Sequence, residues 1–314
     1  MAMPLPLNEC YDRRVRYFRD HFTLASGSPS TGAVHEMRVG LKRLRTFFNL
    51  AGAIAPAFRA EEAFAAPGKL FRTAGKLRNL HVVEAKAREA SQAGGLELSE
   101  FYNWLKEGER REVKRFDRAC RRLGKGFFAS SWTTMASHLE GPVAPGARKR
   151  AEERLFRLIK EIKEERSLRP GVRRLHFLRT RTKEARYTLE IVQECGLTGD
   201  EATILNDRLR DVHQSLGRWH DEEIVLRSLR EFRKLREPGP LVSFKSYLEF
   251  SRLTKARKAD SLASFEAAWA VLLAFLGRGY GRRVLRPPSA RLEPGNDLTK
   301  AETPPEDGSA TPMT

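Results

Sequence analysis

The sequence predicts an all-α protein built from two related halves. Apolar residues recur at helical spacing along most of the chain, and one basic pattern occurs twice, at His35 and again 141 positions later at His176. No alternating apolar and polar run is bounded by turn signals, so we predict no β-strand. Each half holds four main helices, and short connections between helices favour antiparallel bundles.

The repeated pattern places four basic side chains at positions i, i+3, i+7 and i+10. The two sets are His35, Arg38, Lys42 and Arg45, and His176, Arg179, Lys183 and Arg186. At about 100° per residue, this spacing keeps each set within an arc of roughly 80° on one helical face. Each face carries three fixed positive charges and one imidazole. Two such faces predict a two-fold site for an extended polyanion.

An apolar stripe borders the basic stripe in each motif helix. The two stripes are Val34, Met37, Leu41, Leu44 and Phe48, and Leu175, Leu178, Thr182, Ala185 and Leu189. This arrangement is typical of a helix with one face in a core and the neighbouring face along a groove. Thr182 and Ala185 give the second copy less apolar volume.

The first half is predicted to contain four main helices and one short helical piece. The breaks are the loop SGSPSTG, where Ser30 or Thr31 can cap the next helix, then Pro56 and the stretch SQAGG. The predicted helices cover about 7–25, 31–52, 60–90, 97–124 and 127–139.

The second half repeats this order after GPVAPG at 141–146, the clearest internal boundary. The predicted helices cover about 147–167, 172–194, 200–234 and 241–277. A weaker echo supports the duplication, since GKLRNLHVVEA at 75–85 resembles GRWHDEEIVLR at 217–227, 142 positions later. Both segments lie in the helix that follows a motif helix, so the two echoes indicate two related halves.

These elements define one helical domain over 5–277, with a first half of about 5–140 and a second half of about 147–277. From about Gly281 the composition changes to Pro, Gly, Ser, Thr and charged residues. Such a composition cannot bury enough apolar surface to fold, so we predict a disordered tail over 281–314.

The charge of the chain points to an anionic partner. The formal net charge is +18 and the pI is about 10.2. Nucleic acid, a phosphate polymer and an acidic membrane surface are the partner classes that such a charge favours. Arginine dominates the basic set, and its planar fork suits phosphate oxygens better than a lysine ammonium does.

The remaining composition predicts a cytoplasmic protein. Cys10, Cys120 and Cys195 form no CxxC pair, which indicates free thiols in a reducing compartment. The first residues lack the apolar run of a signal peptide. The longest apolar run, FEAAWAVLLAF at 265–275, is shorter than the ~18 residues of a membrane span, so we expect no membrane partner.

The sequence contains no pattern that predicts catalysis. HEMR at 35–38 is not HExxH, and the chain has no Walker loop, no GxSxG and no Cys/His metal spacing. Asp221, Glu222 and Glu223 could hold a metal ion, but a surface acidic cluster is the more common meaning. We therefore expect no enzyme, no cofactor and no metal site.

Each basic feature also has a plainer interpretation. A single basic stripe is usually a solvated helix face, and His35 and His176 could instead cap a helix or lie in a core. Five further cations on the helices after the motif helices are secondary candidates for the site. They are Arg72, Lys76, Arg78, Arg208 and Arg210. His81, His213 and His220 are predicted to be structural or exposed.

Sequence-neutral nucleic-acid binding in the same groove is the alternative function. Single-strand binders interleave aromatic side chains with the basic face so that bases can stack. Here Phe47, Phe48 and Tyr187 lie off the basic stripe, and the four tryptophans are expected in the core. This placement favours a ligand without bases.

Three segments together resemble the CHAD domain family over about residues 5–277: VHEMRVGLKRLR, LHFLRTRTKEARYTLE and LGRWHDEEIVL. The resemblance implies two four-helix bundles related by pseudo-two-fold symmetry, with a basic groove or pore between them. It implies binding of inorganic polyphosphate, with a place on polyphosphate granules among the expectations. It also assigns the site to the eight motif residues.

The chain departs from the family pattern in its first half. The family usually has an arginine–aspartate pair and a further aspartate there, whereas this chain has Arg78-Asn79-Leu80-His81. Asp221 keeps the acid in the second half, so the site is expected to be more positive than usual. No ExExK motif of a triphosphate-hydrolase-type domain occurs, which is expected of a stand-alone binding domain.

A phosphate polymer fits the motif on physical grounds. It carries about one negative charge per phosphate, and a helical i, i+3, i+7 row offers donors at steps of about 5 Å. Histidines among cations should have a lowered pKa when the site is empty and a raised pKa when phosphate binds. We therefore expect binding to take up protons, to tighten below about pH 7 and to weaken steeply with salt.

Overall fold

The computed structural model describes residues 7–55, 58–137, 146–165, 171–195, 201–235 and 241–277. Every regular element in these ranges is an α-helix, which confirms the all-α prediction. The helices are α1 (Leu7–Gly27), α2 (Thr31–Ile54), α3 (Ala60–Gly94), α4 (Ser99–Ser137), α5 (Ala147–Glu164), α6 (Val172–Glu194), α7 (Glu201–Leu235) and α8 (Leu241–Gly277). The predicted tail at 281–314 lies outside the described residues.

Local signals in the sequence set several helix ends. The Ser30 side chain accepts a hydrogen bond from the Ala33 N–H at 3.2 Å and so caps α2. Gly95 follows the last residue of α3 and has a φ of 61°, a conformation that favours glycine. The helix therefore ends at Gly94, four residues beyond its predicted end at about residue 90. Gly124 interrupts α4 with a φ of 62°, at the break predicted between the fourth helix and the short piece.

Consecutive helices pack side by side within each half of the chain. The contacts α1–α2, α2–α3 and α3–α4 have the counterparts α5–α6, α6–α7 and α7–α8. Between the halves, α2 packs against α5 and α6, and α3 packs against α7. The two motif helices, α2 and α6, therefore meet at the centre of the molecule.

The halves share their hydrophobic core. The larger apolar cluster draws residues from all eight helices, with Phe18, Phe47 and Trp219 among its largest buried side chains. A second cluster joins α3 and α4 to α7 and α8 through Val83, Phe101 and other residues. Because both clusters cross the boundary between the halves, burial of apolar surface holds the two motif helices together.

An ion pair between the buried Arg14 and the exposed Glu194 also joins the first helix to the second motif helix. The Arg14 guanidinium donates two hydrogen bonds to the Glu194 carboxylate, at 2.9 and 3.0 Å, and a third to the Cys10 carbonyl. The three cysteines are free thiols, as predicted, and the Cys10 and Cys195 sulfurs lie 3.7 Å apart beside this pair. Bidentate geometry of this kind fixes the position of α6 on α1.

One described helix, α8, is long and apolar enough over Phe244–Gly277 to cross a membrane by length and composition. The uninterrupted apolar run at 265–275 predicted no such segment, but α8 also carries apolar residues before that run. Core helices of soluble proteins meet the same criterion when they are mostly buried, whereas 22% of the apolar window of α8 is buried inside the protein. A single helix of this kind is weak evidence for a membrane segment.

Candidate functional site

The meeting of α2 and α6 brings predicted site residues of both halves together. Burial is the largest cause of the lowered pKa values of Lys42 and Arg38, and nearby positive charges lower them further. The charge of Lys183 lowers the pKa of Lys42, and the charge of Arg179 lowers the pKa values of both Lys42 and Arg38. Arg78 of α3 acts on Arg38 and Lys42 in the same way. We call these five residues, Arg38, Lys42, Arg78, Arg179 and Lys183, the central cluster.

The central cluster is costly to keep charged when no anion is bound. Burial, followed by the neighbouring cations, lowers the pKa of Lys42 to about 6 and that of Lys183 to about 8. The same causes lower the pKa of Arg38 to about 10, and burial lowers the pKa values of Arg78 and Arg179. Like charges gathered in a half-buried space indicate a site that an anion would stabilise.

Arg38 is held in place by the neighbouring helix α3. Its Nη1 donates a hydrogen bond to the Phe71 carbonyl at 2.6 Å, and its guanidinium lies 4.3 Å from the centroid of the Phe71 ring. Gly75 makes this position possible, because a Cβ there would lie 2.9 Å from Arg38 Nη1. The guanidinium is therefore oriented before any ligand arrives, which lowers the entropy cost of binding.

Gly75→Ala is expected to weaken anion binding about three- to tenfold, because the added methyl group displaces Arg38 from the Phe71 carbonyl and a hydrogen bond contributes about 1 kcal/mol. Gly217→Ala is the matched control. Gly217 occupies the corresponding position in the second half, and a Cβ there would meet nothing within 4 Å. Calorimetry should find unchanged binding for Gly217→Ala. Equal losses in both variants would contradict the positioning of Arg38 by Gly75.

Two histidines that sequence reasoning set aside lie beside the central cluster. Burial and the charge of Arg179 lower the pKa values of His213 and His220 to about 3. The His220 ring also packs edge-to-face on His176, with centroids 4.6 Å apart. Two signals could have identified them: the seven-residue spacing puts both on one face of α7, and the 142-residue offset aligns His220 with Arg78.

Several donors in this region have no partner among the described residues. Arg179 Nε, His213 Nε2 and His220 Nδ1 are buried nitrogens without a hydrogen bond to the described protein atoms. Buried polar atoms usually find a partner, so unpaired ones around a cationic space point toward a ligand. An anion with several oxygens could accept hydrogen bonds from them.

Few acidic side chains balance this charge. Asp221 is the carboxylate that acts on Arg78 and Arg179, and burial raises its own pKa. Glu184 acts on Lys183, but it already forms ion pairs with Arg154 and Arg181. Asn79 occupies the position in the first half that corresponds to Asp221 in the second half. The first half therefore has no carboxylate at this position to balance its positive charge.

A groove of about 1020 Å³ opens between α2 and α6. Lys42, Arg45, His176 and Lys183 of the two motifs line it together. Four phenylalanines also line the groove. Phe58 is buried, and an arginine lies over each of the other three rings: Arg45 over Phe64, Arg38 over Phe71 and Arg181 over Phe177. These contacts occupy the aromatic faces and orient the guanidinium groups.

The other motif residues lie at the edges of this arrangement. His35 and His176 are partly exposed, and burial and nearby cations lower the pKa values of both. Arg45 is exposed at the groove. Arg186 lies over the Tyr187 ring and 3.4 Å from Glu190, although its charge still contributes to the lowered pKa of His213.

The secondary candidates divide into separate groups. Arg78 belongs to the central cluster, as described above. Arg72 and Lys76 are exposed and line a different groove between α3 and α4. Arg208 and Arg210 lie on α7 outside the lining of the α2–α6 groove, and Arg210 pairs with Asp207 at 3.1 Å.

Comparisons with known proteins agree with this architecture. The family model of the CHAD domain matches residues 10–230. The crystal structure of the CHAD domain from the plant Ricinus communis is similar, with 20% identity, a TM-score of 0.65, and coverage of 87% of this chain and 94% of that chain. PptA from Streptomyces chartreusis is also similar, with 14% identity, a TM-score of 0.60, and coverage of 84% and 98%. A comparison with curated proteins finds no match.

Proposed function

The chain belongs to the CHAD domain family, and we propose that it binds inorganic polyphosphate between its two motif helices. The observation that carries the proposal is the central cluster, in which five half-buried cations from both halves face one another with few acidic partners. A chain of phosphates supplies negative charge along its whole length, so it can neutralise cations that lie along two helices.

We propose the same two-fold arrangement for the fold. The helix contacts within the first half have counterparts within the second, and α2–α6 and α3–α7 are contacts between equivalent helices. This pattern supports two four-helix bundles related by pseudo-two-fold symmetry, with the central cluster near the axis. A linear polymer suits such a site because it presents the same groups to both halves.

The contacts in the groove favour polyphosphate over nucleic acid. Bases bind single-strand proteins by stacking on free aromatic faces. The Phe64, Phe71 and Phe177 rings each carry an arginine, so those faces are already occupied. Arginine favours a ligand that offers oxygens, because its planar fork binds phosphate oxygens in bidentate fashion.

A binding role, rather than a catalytic one, fits the acidic groups present. Enzymes of phosphate transfer hold metal ions with carboxylates. In the described part of the chain, no group of three or more His, Cys, Asp or Glu side chains could hold a metal ion. Asp221 and Glu184 stand beside arginines, where they orient cations. Under this proposal the protein acts in the cytoplasm, on polyphosphate granules.

A competition experiment tests the proposed ligand. The protein is first saturated with a fluorescent single-stranded RNA at one fixed salt concentration, and long-chain polyphosphate or unlabelled RNA is then added at equal phosphate concentration. Polyphosphate should displace the labelled RNA at a concentration at least about tenfold lower, a difference of about 1.4 kcal/mol. Equal displacement by the two polymers would indicate nucleic-acid binding or unselective charge attraction.

A further inference from the structure

A second pair of cationic rows lies outside the α2–α6 groove. Three cations on α3 and three on α4 repeat the spacing i, i+3, i+7 found in the motif helices. They are Lys69, Arg72 and Lys76 on α3, and Arg115, Arg118 and Arg122 on α4. In each set this spacing puts all three side chains on one face of the helix.

The two rows face the same groove. Helices α3 and α4 are consecutive and pack against each other, and all six cations line a cavity of about 710 Å³ between them. We call this cavity the outer groove. All six side chains are exposed, and each row spans about 10 Å because a helix rises 1.5 Å per residue. The groove thus presents two parallel lines of positive charge.

The outer groove differs from an ordinary solvated helix face in its charge. Among the described residues that line it, Glu112 is the one carboxylate, and this side chain pairs with Arg115. Further along the same helix pair, Lys106 bridges Glu84 and Glu109, which is the usual pattern of alternating charge. No acid occurs on α3 from Ala63 to Val83. The cations of the outer groove are therefore largely uncompensated.

The outer groove is separate from the central cluster. Among the described residues that line the outer groove, none belongs to the central cluster. On α3, Arg78 points about 180° away from Lys69 around the helix axis, at about 100° per residue. One face of this helix therefore serves the central cluster, and the opposite face serves the outer groove.

We propose that the outer groove is a second binding site for a linear polyphosphate segment, so that one protein molecule holds two segments of polymer. The choice of ligand rests on the proposed function of the central cluster. Among the described residues, the lining contains aliphatic and charged side chains and no aromatic ring on which a base could stack. Two rows of Lys and Arg side chains fit repeated phosphate oxygens.

Native mass spectrometry with a short linear polyphosphate tests this site by counting bound chains. Arg72→Gln/Lys76→Gln/Arg118→Gln removes three charges from the outer groove, and Arg38→Gln/Arg179→Gln removes two from the central cluster. A matched control removes three exposed cations of α5 and α8: Arg157→Gln/Lys163→Gln/Lys255→Gln. Exposed substitutions of this kind change folding stability by less than about 0.5 kcal/mol.

The wild type and the matched control should each bind two chains, and the outer-groove variant should bind one. A single chain on the wild type, or an equal loss in the matched control, would overturn the outer groove as a site. The central-cluster variant separates the two proposals. If it still binds two chains, the proposed function fails while the outer groove stands, whereas retention of one chain supports both.

Discussion

Arg38→Gln/Arg179→Gln should weaken polyphosphate binding by about 10²- to 10⁴-fold. Each substitution removes charge-assisted hydrogen bonds that contribute about 1.5–3 kcal/mol, and a tenfold change in affinity corresponds to about 1.4 kcal/mol. Arg38 is oriented by the Phe71 carbonyl, and Arg179 Nε is buried without a partner among the described residues. Isothermal calorimetry with long-chain polyphosphate measures the loss directly.

Two further variants show whether geometry or net charge causes the loss. Arg16→Gln/Arg19→Gln removes the same charge from exposed positions on α1 and should change affinity by a few-fold at most. Arg38→Lys/Arg179→Lys keeps the charge but removes the planar fork, so it should bind between the wild type and the glutamine variant. An α1 variant that loses as much affinity as the central variant would show that only overall charge matters.

Polyphosphate binding should take up protons and tighten as the pH falls from 8 toward 6. Burial and the charges of neighbouring cations lower the pKa of Lys42 to about 6 in the empty site, so this amine is mostly neutral at pH 7. A bound polyanion raises that pKa, and the protein then binds a proton from solution. Between the pKa of this group in the empty site and its pKa in the occupied site, one such group changes the affinity for polyphosphate by up to about tenfold per pH unit.

His35, His176 and Lys42 are the groups expected to take up protons when polyphosphate binds. The sequence predicted this behaviour from His35 and His176, and the structure adds Lys42 as a group whose empty-site pKa lies close to neutral. Calorimetry in buffers of different ionisation heat gives the number of protons taken up. Lys42→Met should reduce that number at pH 7.5, whereas Lys163→Met at an exposed position should leave it unchanged. Equal proton uptake in Lys42→Met and the wild type would refute the role of Lys42.

The stability of the empty protein provides an independent check on Lys42. Its pKa is lower in the folded protein than the ordinary value of 10.5, so the unfolded chain binds more protons between about pH 6 and 10.5. The contribution of Lys42 to the free energy of unfolding therefore falls as the pH decreases through that range. Without polyphosphate, Lys42→Met should unfold at a higher temperature than the wild type at pH 7, because the variant has no amine that must lose its proton on folding.

Helical periodicity was sufficient to predict the elements that position the site. Val34, Met37 and Leu41 form the apolar stripe of α2 and are fully buried, which leaves the neighbouring basic stripe toward the groove. Regular local spacing determines such stripes, so they can be read from the sequence. The C-terminal end of α3 was less predictable, because this helix continues through SQA to the Gly95 cap.

The motif spacing predicted that the four residues of each set share one helical face, but it did not predict which of them meet. Arg38, Lys42, Arg179 and Lys183 lie near the middle of their helices and converge. Arg45 and Arg186 lie at the last position of each motif, at one edge of the roughly 80° arc, where they turn toward Phe64 and Tyr187. A row of eleven residues is too long for every member to point at one place.

Tertiary packing decided the remaining residues. His213 and His220 share a face of α7, but only the contact between α7 and α6 places that face beside Arg179. Arg72 and Arg78 are close in sequence, yet the packing of α3 places Arg72 in the outer groove and Arg78 in the central cluster. Sequence spacing specifies faces of a helix, whereas the neighbours of each face depend on the assembled fold.

A crystal structure with a short linear polyphosphate bound would test the central claim most directly. The account predicts a chain of phosphates between α2 and α6, with oxygens within hydrogen-bond distance of Arg38, Lys42, Arg179 and Lys183. Additional density in the outer groove would be consistent with this result. Phosphates bound only to exposed side chains, with the central cluster empty at saturating ligand, would contradict it.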